Sequence, residues 1–482
     1  MRRTKVVLVL MALVVVAAAC GQKPGVNEGT QAVAGGGGFE TGAGAGGGDG
    51  SVGDDGGGVT AGDGSPDAGG TPGATGGGTD SGGSPGGGDT GAAPSGAASP
   101  PTGGGGAPPP TQAGDRTGIS DTVIKIGVHA PLTGAAPVPQ ESFRRALPVY
   151  WEFIKEAQGG VFGKNVEVVF RDDQFDPSAA IQACRQMVEQ EKVFILIGAA
   201  GGDQITACAR YANSVGVPYF SPGVNEDGLA GLRGYFAISQ TYNQQAPMLG
   251  QVAAKVSSAK KVALIHEDTP TFKGSRGAAA DAMRQNGMEV VYNELISKGA
   301  SQAEILTTSN QLRQSGADVV YFLGPPATLI PLAQQGQGQG YVPAYIGPGL
   351  SNGLNLVTAA GCPGLSNSQY LSPFPQLDVI DRFDRDFRQA YREQTGSEPD
   401  DLAVAIWGLS KAIHQFFKGA GEGMSRQSLV ATLEGGQRYE SNVFPPQQYS
   451  AENHFGAANA HLLRADCSSR TWKTIATFAT RP

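Results

Sequence analysis

From residue 123 onward the chain alternates short apolar runs with segments of helical spacing, and few folds accept that pattern. Val123–His129, Val166–Arg171, Phe194–Ile197 and Val217–Phe220 have the length and apolar content of strands. After a helix over 243–257 the series starts again. Strands are expected at Lys261–His266, Met288–Tyr292, Asp318–Leu323 and Ala344–Ile346, with helices at 274–286, 301–315 and 327–335. This alternation predicts parallel α/β units, because a parallel neighbour is reached only through a crossover. Two such series predict two doubly wound lobes. In open parallel sheets, ligands bind beyond the carboxyl ends of the strands.

The stretch Phe194–Gly228 carries that expectation to particular residues. A strand buried on both faces runs into the glycine turn Gly198–Gly202, and Asp203 stands where a helix N-cap belongs. Ile205, Cys208, Ala209 and Ala212 recur at helical spacing, and Ser221-Pro222-Gly223 cuts off the next strand. Both turns fall at the same sheet edge, which makes them half of a binding cleft. Upstream, Phe143 to Ile154 form one helical face with Pro148 as a kink, and Asp176-Pro177 signals a helix start. Beyond Tyr370 helices are expected at 377–394, 400–418 and 425–434, followed by strands at Ala458–Arg464 and Thr471–Phe478. Late helices need a sheet to cover, so the chain should return to its first lobe.

Only part of the 482 residues has the composition to fold. Residues 21–118 hold 38 of the 74 glycines and almost no large apolar side chain. Such a segment cannot bury enough surface to offset its chain entropy, and it is expected to act as a tether. Its GDGSVG at 48–53 lacks the strand and helix that a dinucleotide fingerprint requires. Before it, Met1–Lys5 is basic and Val6–Ala19 apolar, which has the form of an export signal and is short for a membrane span. Ala17-Ala18-Ala19-Cys20 resembles the lipobox of bacterial lipoproteins, with Cys20 as the lipidated residue; the same alanines also suit plain secretion. The formal charge of −8 divides as about −5 before residue 119 and about −3 after it, which argues against nucleic acid as a partner.

Four further cysteines are an even number for an oxidising compartment. Cys184 and Cys208 fall on successive helices of one sheet, and Cys362 and Cys467 both come late, so 184–208 and 362–467 are the favoured pairs; free thiols are the alternative. His129, His266, His414, His454 and His461 show no metal spacing with them. No phosphate loop occurs, and no cofactor is expected.

Ala130-Pro-Leu-Thr-Gly134, Gly159-Gly-Val-Phe-Gly163, Asp172-Asp173 before Asp176-Pro177, Ile197-Gly198 and Ser221-Pro222-Gly223 occur in that order. Val320-Tyr321 and Ile346-Gly347-Pro348 continue the series. Together they resemble the type I periplasmic binding proteins, in the branch that binds leucine, isoleucine and valine, over 121–482. The resemblance implies two lobes joined by three crossovers, near 241–244, 371–374 and 443–448. Lobe 1 would be 119–243 plus 372–445, and lobe 2 would be 244–371 plus 446–482. It also implies an extracytoplasmic lipoprotein, anchored in the cell membrane, that delivers a small polar solute to an ABC permease. A ligand-sensing lipoprotein is the alternative.

The resemblance places ligand contacts at Gly201 and Gly202, at Gly223 and Asn225, and at Phe272 as an aromatic wall; Asp203, where it does not cap the helix, opposes a carboxylate and suits a cationic or hydroxylated ligand. Two positions depart from the family pattern. Its second aromatic falls on Pro325 and its ammonium-binding acid on Gly349, and a buried ammonium without a carboxylate is costly. A branched-chain amino acid is therefore disfavoured. Gly349-Leu-Ser351-Asn-Gly353 also matches a nucleophile elbow, with Asp378 and His454 downstream. The linker repeats that pattern at Ser84, which makes a serine hydrolase the remote reading.

Overall fold

The computed structural model describes residues 114–480; the expected export signal, Cys20 and residues 21–113 lie outside the described residues. Gly114–Gly118, counted above with the tether, belong to the folded body: Asp115 pairs with Arg426 at 2.5 Å, and Gly118 accepts a hydrogen bond from the Lys125 amide.

The first series runs β1 (Val123–Ala130), α1 (Gln140–Ala146), α2 (Val149–Gln158), β2 (Asn165–Asp172), α3 (Pro177–Glu189), β3 (Ile195–Gly198), α4 (Gly202–Ser214), β4 (Tyr219–Ser221) and β5 (Tyr235–Ala237). Its strands form one parallel sheet in the order β2-β1-β3-β4-β5. Every residue of β3 is buried, as a strand covered on both faces requires. Pro148 breaks the first helical segment into α1 and α2 rather than kinking it, since it supplies no amide to carry the ladder through. Asp176 caps α3 as expected, accepting from the Ala179 amide at 2.8 Å.

The second series runs α5 (Tyr242–Val256), β6 (Lys261–Glu267), α6 (Pro270–Gly274), α7 (Arg276–Gln285), β7 (Glu289–Ile296), α8 (Gln302–Ser315), β8 (Val319–Leu323), α9 (Pro326–Gly338), β9 (Ala344–Pro348), α10 (Asn355–Gly361) and β10 (Gln369–Ser372). The chain then crosses back through α11 (Phe387–Thr395), α12 (Asp401–Ala420) and α13 (Arg426–Glu434) to a ribbon of β11 (Gly435–Tyr439) and β12 (Gln447–Ser450). It ends with β13 (Asn459–Asp466) and β14 (Thr471–Thr480), an antiparallel edge that completes the order β14-β13-β10-β9-β8-β6-β7. The fold is thus α/β, with two mainly parallel sheets.

The late helices do return to the first sheet. Phe416 of α12 stacks on Phe220 of β4 at 5.5 Å, and Phe417 meets Phe194 at 6.0 Å. The helix expected over 377–394 is shorter, with only a 3-10 turn at Ile380–Arg382 ahead of α11. Asp384 ends that turn. It is buried, accepts from Trp407 Nε1 and Lys411 Nζ, and takes the Asp386 amide back onto its own side chain, a local bond that competes with helix.

Sheet membership changes at 238–241, at 373–376 and at 451–458. The last change comes later than the expected 443–448, because 447–450 is held by β11 and Tyr449 packs edge-on against Phe236 and Phe416. Both favoured disulfides form, Cys184–Cys208 between α3 and α4 and Cys362–Cys467 between the end of α10 and the β13–β14 turn.

Candidate functional site

The carboxyl ends of the two sheets face each other across a cavity of about 90 Å3. Its first wall is built from Pro131 after β1, Gly201 and Gly202 at the start of α4, and Val224 after β4. The second wall comes from Phe272 on α6, the Gly324–Pro326 turn after β8 and the Pro348–Leu354 segment after β9. Prolines end several of these strands because they supply no amide to continue a ladder. The same prolines leave the cavity with an apolar rim.

Of the residues expected at the ligand, Gly201, Gly202, Phe272 and Pro325 line this cavity. Asp203 is not an N-cap: α4 begins at Gly202, with Gly201 in the cap position at φ 85°. Asp203 Oδ1 instead accepts from the Thr271 amide at 2.9 Å and from Thr271 Oγ1 at 2.5 Å. Thr271 belongs to α6, on the other side of the cavity, so this pair joins the two walls. Asn225 does the same, donating from Nδ2 to Ser275 Oγ at 2.8 Å while its Oδ1 accepts the Asp227 amide. Lys298 adds a third bridge, donating to the Phe175 carbonyl at 3.0 Å with its ammonium 4.7 Å from the Phe175 ring centroid.

Gly223 and Gly349 serve backbone packing. The Gly223 amide donates to Ser239 Oγ, and a Cβ there would lie 2.3 Å from the Gln240 carbonyl. A Cβ on Gly349 would lie 2.7 Å from the Leu371 carbonyl, to which its own amide donates. Gly202 is different. A Cβ there would meet Thr271 Cγ2 at 2.4 Å, so its lack of a side chain lets the two walls approach.

Tyr242, Ser351 and Asn352 also line the cavity, and nothing in the sequence around them marks them individually as wall residues. Tyr242 packs 5.8 Å from Phe272, and burial pushes its hydroxyl pKa up. Asn352 is 2% exposed, and its Nδ2 donates to the Gly324 carbonyl at 2.9 Å. The proline clusters at strand ends were the signal that could have found these walls. The other members of the suggested hydrolase triad have separate partners. His454 lies 3.3 Å from Glu434 and stacks on Phe236, while Asp378 accepts from the Thr474 amide.

No Asp, Glu, Lys, Arg or His side chain lines the cavity. Glu267 stands just behind the second wall at the end of β6, 1% exposed, with Thr328 Oγ1 3.4 Å from its Oε1. Burial raises its pKa from 4.5 to about 7. A carboxyl raised on folding holds a proton that the unfolded chain releases, so stability falls as pH rises from about 4 to about 7 and the penalty is complete above that. Glu267→Gln should flatten urea-unfolding stability across this window and gain up to about 3 kcal/mol at pH 8. A variant with the same pH slope as the parent would show that Glu267 is not the group responsible.

The family profile described as "Periplasmic binding protein" matches residues 123–471. An amino acid binding protein of Pseudomonas aeruginosa is 28% identical over 310 residues, 62% of this chain and 79% of that one. The substrate binding protein of a branched-chain amino acid transporter from Streptococcus pneumoniae, solved with isoleucine, superposes with a TM-score of 0.62 at 20% identity, covering 74% of this chain and all of the other. An ABC transporter solute binding protein from R. palustris, solved with benzoate, gives 0.61 at 18%, covering 75% and 97%. These relatives are solute-binding proteins rather than enzymes. The chain belongs to the type I periplasmic binding proteins, on their leucine/isoleucine/valine-binding branch.

Proposed function

We propose that this protein captures a small solute between its two sheets and delivers it to an ABC importer. The observation that carries the reading is the clasp of Asp203–Thr271, Asn225–Ser275 and Lys298–Phe175 around a cavity at the converging strand ends. Direct bonds from wall to wall hold the closed form, and the chain passes between the sheets at 238–241, 373–376 and 451–458, a hinge arrangement. The related structures hold isoleucine and benzoate, so the fold alone does not set the solute.

The first 19 residues act as an export signal and Cys20 carries the lipid anchor, with the glycine-rich segment as tether to the membrane where the permease sits. Among the described residues no helix is long and apolar enough to cross a membrane, which accords with anchoring through the N-terminus.

A thermal-shift screen of the mature chain tests capture. A solute at about 100 times its Kd adds about 2.7 kcal/mol, and a Gly202→Trp variant, whose side chain would meet Thr271 and hold the walls apart, should lose that shift. An equal shift in the variant would place binding elsewhere. Delivery is tested by solute uptake in cells, which a Cys20→Ser chain should fail to restore after deletion of the wild type.

A further inference from the structure

The cavity between the sheets does not stand alone. A second chamber of about 50 Å3 adjoins it, and Val138, Ala200, Leu350, Ser351 and Leu354 line both. Leu402, Ala405, Ile406 and Leu409 form the floor of this second chamber. They recur at the three- and four-residue spacing of one face of α12. Phe143 and Phe444 also line it. Ser351 is the one hydroxyl side chain in its wall, and no ionisable group is present. The two chambers share five wall residues, so only side chains of this common wall stand between them.

The first chamber has a single polar anomaly. Asn352 is buried, its Nδ2 is committed to the Gly324 carbonyl, and its Oδ1 has no hydrogen-bond partner. The opposite amide orientation would set oxygen against oxygen, so the free atom is an acceptor. A buried acceptor without a donor is costly, and a ligand that donates to it recovers that cost. An ionised ligand end would meet no counter-charge in the wall, and Asp203 stands beside the α4 amides.

We infer that the two chambers together hold one ligand, an unbranched alkyl chain ending in an uncharged hydrogen-bond donor such as a hydroxyl or an amide. The donor meets Asn352, the chain passes the collar of Leu350 and Leu354, and its end lies on Ala405 of α12. This assignment rests on the cleft reading given above and narrows it to a solute class.

Calorimetric titration of the full chain with 1-alkanols and primary alkanamides, from butyl to decyl, tests it. Burial of each added methylene should tighten Kd about fourfold until the second chamber is full. Ala405→Phe, which fills that chamber, should leave the butyl compounds unchanged and abolish the gain for longer ones. Should that variant fold poorly, Leu409→Ala enlarges the chamber instead and should move the best length upward. Asn352→Leu should weaken the whole series by a common factor without changing its slope. A Kd independent of chain length, or an undiminished slope in Ala405→Phe, overturns the chain assignment. Tighter binding of the matching alkanoates overturns the uncharged end. If only amino acids bind and Gly202→Trp abolishes their binding, this assignment fails while the cleft reading stands; if Gly202→Trp binds them normally, both fail.

Discussion

Replacing Cys362 and Cys467 with serine should destabilise the protein by about 3–5 kcal/mol, the largest effect expected of any substitution discussed. The bridge spans 105 residues, and in the chain-entropy model a loop of about 100 residues contributes roughly 4.7 kcal/mol by restricting the unfolded chain. It ties the end of α10 to the β13–β14 turn, so it fastens the antiparallel edge to the parallel part of the second sheet. Urea denaturation without reductant should show a lower midpoint for the double variant, and reductant, which also opens Cys184–Cys208, should take the wild type lower still. The Cys184–Cys208 bridge spans 24 residues and should contribute less through chain entropy, about 3 kcal/mol. A double variant at 362 and 467 with an unchanged midpoint would mean that the bridge adds nothing to the folded state.

Asp203→Ala should weaken solute binding about 10- to 100-fold while leaving the fold intact. Asp203 accepts two hydrogen bonds from Thr271 across the cavity, and losing such a contact with a charged acceptor costs about 1.5–3 kcal/mol. Because they form only when the walls meet, their loss shifts the open–closed balance and lowers the apparent affinity by the fraction still able to close. Asp203→Asn keeps an acceptor and should lose less. Calorimetry gives the affinity and X-ray scattering gives the shift toward an expanded form. Unchanged affinity with an unchanged radius of gyration would remove Asp203 from the clasp.

The architecture was legible because the strand and helix periods are local. Phe194–Ile197 and Lys261–His266 announce buried parallel strands without reference to the rest of the chain, and both disulfide partners could be paired from their positions in the alternation. Short elements such as β5 and β10 carry three and four residues, too few for a period, and went unread. Gly201, Gly202 and Phe272, which line the cavity, are positions that the turn chemistry or the family resemblance marks in the sequence. In the sequence Asp203 suits a helix cap or a polar solute, and Asn225 stands at a position that the family resemblance marks. Their partners, Thr271 and Ser275, lie 68 and 50 residues away, and only the approach of the second sheet commits them to closing the cleft. The second chamber was invisible for the same reason. Leu402, Ala405 and Ile406 are an ordinary core stripe until the loops after β3 and β9 leave a gap above them.

Closure around a solute is the central claim, and X-ray scattering on the wild-type chain with and without a saturating solute tests it most directly. The account predicts a smaller radius of gyration with solute, and no such change in Gly202→Trp, where the two walls cannot meet. A solute that binds in the wild type without altering the scattering curve, and binds equally in Gly202→Trp, would contradict it.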